Sequence, residues 1–120
     1  MQIRKNFTLS YFERLHKKSD FNKCFDRGQL LENDKIKIIV YKRNDNNNVK
    51  RLGLITSRKI GTAVTRNKSK RLIREIFRLN KHLLKEQLDL IIILRKQTIL
   101  LDYNHLRYNL LNLLKKGGYY

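Results

Sequence analysis

The sequence predicts a single-domain α+β protein, an α-β sandwich with a sheet of about four strands and the element order α-β-β-β-α-β-α. Three observations predict it. Leu88 to Arg95 is a near-continuous apolar run, the pattern of a central strand buried on both faces. Lys35 to Tyr41 and Arg51 to Ser57 alternate with the period of a half-buried strand. Between Ser57 and the apolar run lies an amphipathic helix, so strand, helix and strand make a βαβ unit in a partly parallel sheet. A length of 120 residues suits one domain, no proline punctuates the chain, and no internal repeat is visible.

The elements follow in order. Residues 1–14 are basic, polar and weakly patterned, and are expected to form a mobile or loosely docked arm. Ser19 can cap a short helix, with Asp20 in its first turn and Gly28 at its end. Phe21, Cys24 and Phe25 share one face of that helix, and taken alone all three read as core. Gln29 to Glu32 suits a short edge strand. In the next strand Ile36, Ile38 and Val40 face a core, while Lys37, Ile39 and Tyr41 share the other face. Arg43 to Lys50 reads as a polar, hairpin-like loop. Leu52, Leu54 and Thr56 then lie on one side of a strand, and Gly53, Ile55 and Ser57 on the other. Asp102 can cap the last helix, whose stripe is Leu106, Leu110, Leu113 and Leu114, with Lys115 and Lys116 in its last turn and Gly117 as its stop.

Arg58 to Lys81 organises the chain. It holds nine Lys or Arg and one acid, Glu75. At about 100° per residue, Leu72, Ile73, Ile76, Phe77 and Leu79, continued by Leu83 and Leu84, cover an arc of roughly 160°. Arg66, Asn67, Lys70, Arg71, Arg74 and Arg78 cover most of the opposite side. A merely solvated face mixes signs, because like charges at i,i+4 repel. This one has almost no acids, and its cations begin at the helix end whose dipole favours anions. With a net charge of +18, nucleic acid is the first partner class and an anionic membrane surface the second.

These residues also resemble a known family. Arg66-Asn67-x-x-Lys70-Arg71-x-x-Arg74-Glu75, preceded by Ser57-Arg58-Lys59-Ile60-Gly61, resembles the signature of the protein subunit of bacterial ribonuclease P. Asp20-Phe21-x-x-x-Phe25 upstream and Asp89 to Arg95 downstream extend the resemblance over roughly Leu15 to Lys115. The resemblance implies a ribosomal protein S5 domain 2-like fold with a left-handed βαβ crossover, against the usual right-handed rule. It implies RNA contacts by Arg66, Asn67, Lys70, Arg71 and Arg74. Phe21, Phe25 and Tyr41 would line a cleft for the single-stranded 5′ leader of precursor tRNA. Lys17, Lys18, Arg58 and Lys59 would add phosphate contacts. It further implies that the catalytic RNA subunit is the partner and carries the chemistry, with Mg²⁺ held mainly by RNA. No membrane or obligate protein partner is expected.

The residues themselves carry no catalytic constellation. His16, His82 and His105 lack metal-ligand spacing, no phosphate-cradling glycine loop occurs, and the ten carboxylates show no tight pairing. No catalytic residue and no metal ligand is expected. Cys24 is the single cysteine, which fits a reducing compartment, and residues 1–12 lack the apolar segment of a secretory signal; a cytoplasmic location is expected. Three other classes share parts of this pattern: a structural RNA-binding protein of ribosomal type, an autonomous nuclease, and a DNA-binding helix module.

Overall fold

The computed structural model describes residues 9–85 and 87–120. Its helices are α1 (Lys18–Arg27), α2 (Ala63–Asn80) and α3 (Tyr103–Lys116), and its strands are β1 (Gln29–Glu32), β2 (Ile36–Lys42), β3 (Arg51–Ile55) and β4 (Leu88–Leu94). The four strands form one sheet in the order β1-β2-β4-β3. Strands β1 and β2, and β2 and β4, pair antiparallel, whereas β3 and β4 run parallel. The expected α+β sandwich and its element order are therefore present.

Strand β4 takes the centre because it has no polar face to offer water. Leu88, Leu90, Ile91, Ile92 and Leu94 are all buried. This placement corrects one expectation. Residues 43–50 do not close a hairpin, because β2 and β3 are not neighbours; the more apolar β4 lies between them. The first strands differ from their predicted limits by only one or two residues.

One sheet face carries the main core. Ile36, Ile38 and Val40 of β2 and Leu90 and Ile92 of β4 meet Ile73, Ile76 and Phe77 of α2 and Leu106, Leu110 and Leu113 of α3. Each such side chain contributes about 1.5–3 kcal/mol by leaving water. Leu79 and Leu83 depart from the expected stripe and are exposed. They lie where α2 ends at Asn80 and a 3-10 turn, Lys81–Leu83, redirects the chain; the arc projected for a continuous helix does not survive that turn. Helix α3 starts as expected, with the Asp102 carboxylate accepting from the backbone N–H of His105 at 2.9 Å.

The other face is covered only by α1. Leu15, Cys24 and Ile91 are buried there, and Phe21, Ile39, Tyr41, Ile55 and Ile93 pack around them partly exposed. Gly53 makes this packing fit. A Cβ at that position would lie 2.8 Å from the Phe21 ring, closer than carbon atoms tolerate, so the glycine lets the ring lie on the strand.

Two expectations near the N-terminus are revised. Ser19 is not the cap of α1; the helix begins at Lys18, and the N–H groups of Asp20 and Phe21 both donate to the Lys17 carbonyl. The turn starts there because the chain has just been pinned, with the Leu15 N–H donating to the Leu52 carbonyl at 3.0 Å. The second concerns the arm. Residues 1–8 lie outside the described residues, but residues 9–14 are docked. Leu9 is buried in the main core, Glu13 is ion-paired with Lys81, and Arg14 bridges to Leu52 in parallel fashion. The segment covers part of the otherwise open edge of β3, a recurrent way to blunt an edge strand.

A buried ionic cluster ties the loop, the sheet and α1 together. Asp89 is 1% exposed. It accepts from Arg43 at 2.7 Å and from Arg51 at 2.8 and 2.7 Å. Arg51 also reaches Asp20 of α1 at 3.3 Å. Arg43 is only 6% exposed and folds residues 43–50 around itself, donating to Asp45 at 3.0 Å and to the carbonyls of Asn47 and Val49 at 2.7 and 2.5 Å. Asp89→Ala would leave two guanidinium groups without their shared anion. A loss of about 3–5 kcal/mol in unfolding free energy is expected by denaturant titration; a loss under about 1 kcal/mol would show that the cluster does not hold this region together.

Candidate nucleic-acid interface

Helix α2 is built to project cations from a fixed root. Its first turn is closed by Thr62 and Thr65, each side chain accepting from the other's backbone N–H at 3.2 and 3.0 Å. Ile73, Ile76 and Phe77 anchor the helix in the core, which turns Asn67, Lys70, Arg71 and Arg74 away from it. Asn67 and Arg71 are exposed, and Lys70 and Arg74 are half-buried. Among the described residues, none of Arg58, Lys59, Arg66, Lys70, Arg71 or Arg74 is paired with a carboxylate.

The row nevertheless divides by geometry. Arg66 folds back on the chain entering the helix, its Nη1 donating to the carbonyls of Arg58, Ile60 and Gly61 at 3.1, 3.4 and 2.9 Å. It clamps the turn that presents Arg58 and Lys59, both exposed. Gly61 has φ of 60°, and a Cβ there would stand 2.4 Å from Ile99, so this clamped turn requires glycine twice over. Lys70 and Arg74 instead line a groove with Arg14 and His16, floored by Phe21 and Gly53. No described carboxylate lines that groove. Burial, and then the neighbouring Arg14 charge, pull the Arg74 guanidinium below its usual value. Three cations, Arg14, Lys70 and Arg74, held in one groove with no described acid lining it are a standing demand for an anion.

The aromatic candidates divide as well. Cys24 is fully buried and Phe25 is 48% exposed, while Phe21 is half-buried. The reading of all three as core therefore holds only for Cys24. Tyr41 lies partly buried on the same sheet face, in a second groove with Lys17, Lys23, Arg27 and Arg51. Lys17 and Lys18 are exposed at the start of α1. Helix α1 thus separates two grooves, one against α2 and one against Tyr41, along a sheet face that it is too short to cover.

Sequence reasoning missed several residues here. Arg14, expected in the arm, reaches the α2 groove because Leu15 pairs with β3. Arg43, Arg51 and Asp89 come together from three separate stretches, and no local spacing announces them. The one available signal was Asp89 itself, a lone acid opening an otherwise apolar strand. Its partner Arg51 is held protonated more firmly by the hydrogen bond to Asp89. Among the described residues, no three His, Cys, Asp or Glu side chains come together as a metal site, and no helix is long and apolar enough to cross a membrane.

Fold and surface define the class: a small basic α+β domain with a cationic helix and two cation-lined grooves, one at Phe21 and one at Tyr41, on one sheet face. The family model described as Ribonuclease P matches residues 9–118. The chain is 35% identical over 108 residues to the ribonuclease P protein component of Clostridium novyi, covering 90% of this chain and 96% of the relative. It is 39% identical to that of Bacillus pumilus over 108 residues, 89% of each chain. The RNase P protein from Thermotoga maritima superposes with a TM-score of 0.75 at 38% identity, over 87% of this chain and 96% of that one. The Staphylococcus aureus RNase P protein does so with a TM-score of 0.77 at 30% identity, over 88% and 94%. The chain belongs to the ribonuclease P protein family.

Burial, reinforced by the charge of Asp89, pushes the Cys24 thiol up to about 11. At pH 8 only about a thousandth of it would be thiolate, the reactive form. Iodoacetamide at pH 8 is expected to leave the folded protein unmodified on a timescale that fully alkylates the denatured chain, as read by mass spectrometry. Equal rates would mean that α1 does not stay seated on the sheet.

Proposed function

We propose that this chain is the RNA-binding subunit of a ribonucleoprotein endoribonuclease that removes the 5′ leader from precursor tRNA, with the catalytic RNA as its partner. The observation that carries this is the arrangement around α2. Lys70, Arg71 and Arg74 have no carboxylate partner among the described residues, and two of them share a groove with Arg14 and the half-buried Phe21. Cations without acids suit a phosphate backbone, and aromatic faces suit unpaired bases.

On this reading the protein contributes charge and position. Neutralised phosphates let two polyanions approach. Asn67, Lys70, Arg71 and Arg74, with Arg58 and Lys59, meet RNA along α2, while Arg66 holds the turn that presents Arg58 and Lys59. Phe21, Phe25 and Tyr41, flanked by Lys17 and Lys18, hold the single-stranded leader, so that the scissile bond is set in the active site of the RNA. Mg²⁺ would supply charge stabilisation for phosphodiester hydrolysis. The protein's own donors do not suit that ion: Asp20, Asp45 and Asp89, the acids lining the Tyr41 groove, are all paired with Arg43 or Arg51. On this proposal the ion sits with the RNA. A cytoplasmic location, where precursor tRNA and a reduced Cys24 coexist, belongs to the same proposal.

Reconstitution tests it. Adding the protein to a ribonuclease P RNA at low Mg²⁺ is expected to restore leader cleavage that the RNA alone performs poorly. RNA binding without any gain in cleavage would instead favour a structural RNA-binding protein, and cleavage by RNA-free protein an autonomous nuclease.

The cationic row has its own test. Each phosphate contact contributes about 0.7–0.9 to the slope of log affinity against log salt. The triple variant Lys70→Ala, Arg71→Ala, Arg74→Ala is expected to flatten that slope by roughly two for precursor tRNA, measured by fluorescence titration. An unchanged slope would remove α2 from the interface.

A further inference from the structure

The segment preceding α1 presents an aromatic ledge that the cleft described above does not use. Tyr11 and Phe12 are 66% and 72% exposed. They sit on a 3-10 turn, Tyr11–Glu13, closed at both ends: the Glu13 N–H donates to the Ser10 carbonyl and the Ser10 N–H to the Glu13 carboxylate, each at 3.1 Å. The Tyr11 ring stacks on His16 with centroids 4.1 Å apart and planes 17° from parallel. His16 in turn is fixed by its Nε2, which donates to the Tyr11 carbonyl at 2.8 Å. Phe12 meets Tyr11 edge to face at 5.5 Å and 87°. Two large rings are thus held rigid and in solvent, where neither gains from burial.

Their surroundings say what would cover them. The ledge lines a groove with Arg14, Lys17 and Arg51. That groove shares Arg14 and His16 with the α2 groove, and Lys17, Asp20 and Arg51 with the Tyr41 groove. It is the junction between the two. Rigid aromatic faces interleaved with cations are the make-up of a single-strand stacking site.

We propose that Tyr11 and Phe12 form an additional stacking site for a base of single-stranded RNA, at the junction of the two grooves and beyond the positions held by Phe21, Phe25 and Tyr41. This rests on the reading of the cleft as a single-strand site and adds one or two nucleotides to its length. Stacking is sequence-tolerant because every base has a π face, so the site extends reach without adding a base preference.

The test uses the full chain and unstructured oligoribonucleotides of stepwise increasing length, followed by fluorescence anisotropy, with 2-aminopurine placed at successive positions. Wild-type affinity should rise with length and then level off. In the double variant Tyr11→Ala, Phe12→Ala it should level off one or two nucleotides earlier. Affinity for the longest oligonucleotide should fall roughly five-fold or more, and 2-aminopurine should lose its stacking quench at one terminal position. Tyr11→Phe should behave as wild type. Phe12→Ser, whose ring is the more exposed, should reproduce a partial loss if the double variant disturbs the turn. Phe21→Ala should weaken every length instead. A length profile unchanged in both Tyr11/Phe12 variants, with Phe21→Ala still weakening binding, overturns this inference and leaves the cleft reading standing. Absence of single-strand binding by the wild-type chain overturns both. Loss of self-association in the double variant, with the profile unchanged, would reassign the ledge to a second copy of the chain.

Discussion

The constraint on which this structure depends is that β4 must be buried on both faces. A strand reading Leu-Asp-Leu-Ile-Ile-Ile-Leu has no side that water tolerates, so it occupies the sheet interior with layers above and below. Two helices, α2 and α3, supply one layer. Only the ten-residue α1 supplies the other. Because α1 is short, it seals Cys24 and Ile91 but leaves Phe21, Ile39, Tyr41 and Ile93 at the margins. The grooves at Phe21 and at Tyr41 are the uncovered remainder of a face that the fold obliges to be apolar.

Charge is distributed by the same economy of acids. Of the side-chain carboxylates among the described residues, all but Asp26 lie against a basic side chain: Asp89 between Arg43 and Arg51, Asp20 also against Arg51, Glu13 with Lys81, Glu32 with Arg95, Glu75 with Arg78, and Asp34, Asp45 and Asp102 with Lys35, Arg43 and His105 close by in sequence. These pairs consolidate loops, ends and the sheet. Among the described residues no carboxylate is then paired with Lys70, Arg71 or Arg74, which stand on the outer side of α2 in a chain of net charge +18. Exposed like charges repel by only tenths of a kcal/mol each in water, a cost that a well-buried core tolerates and that an approaching polyanion reverses.

Much of this was legible in the chain. Hydrophobic period placed β2, β3 and β4 to within a residue or two, and the Leu106–Leu114 stripe and the Asp102 cap placed α3. The cationic face of α2 could be read because a helix anchored by Ile73, Ile76 and Phe77 has a determined outer side. What could not be read were pairings between distant stretches. The insertion of β4 between β2 and β3 contradicts the short loop that suggested a hairpin. Leu9 and Arg14, unpatterned in sequence, dock because the β3 edge offers free backbone groups. Arg66, indistinguishable by position from Arg74, turns inward because three carbonyls of the preceding turn converge on it.

By itself, then, the sequence determined which segments are helix or strand, which faces are apolar, and that one helix carries a cationic face almost without acids. These are local properties, set by side-chain period and by composition. Only the tertiary structure decided which of those cations stay unpartnered, which aromatics remain open to solvent, and that Tyr11 and Phe12 stand at the junction of two basic grooves. Those outcomes depend on strand order and on where one short helix stops covering a sheet, and a linear pattern does not encode the distance between residues that folding brings together.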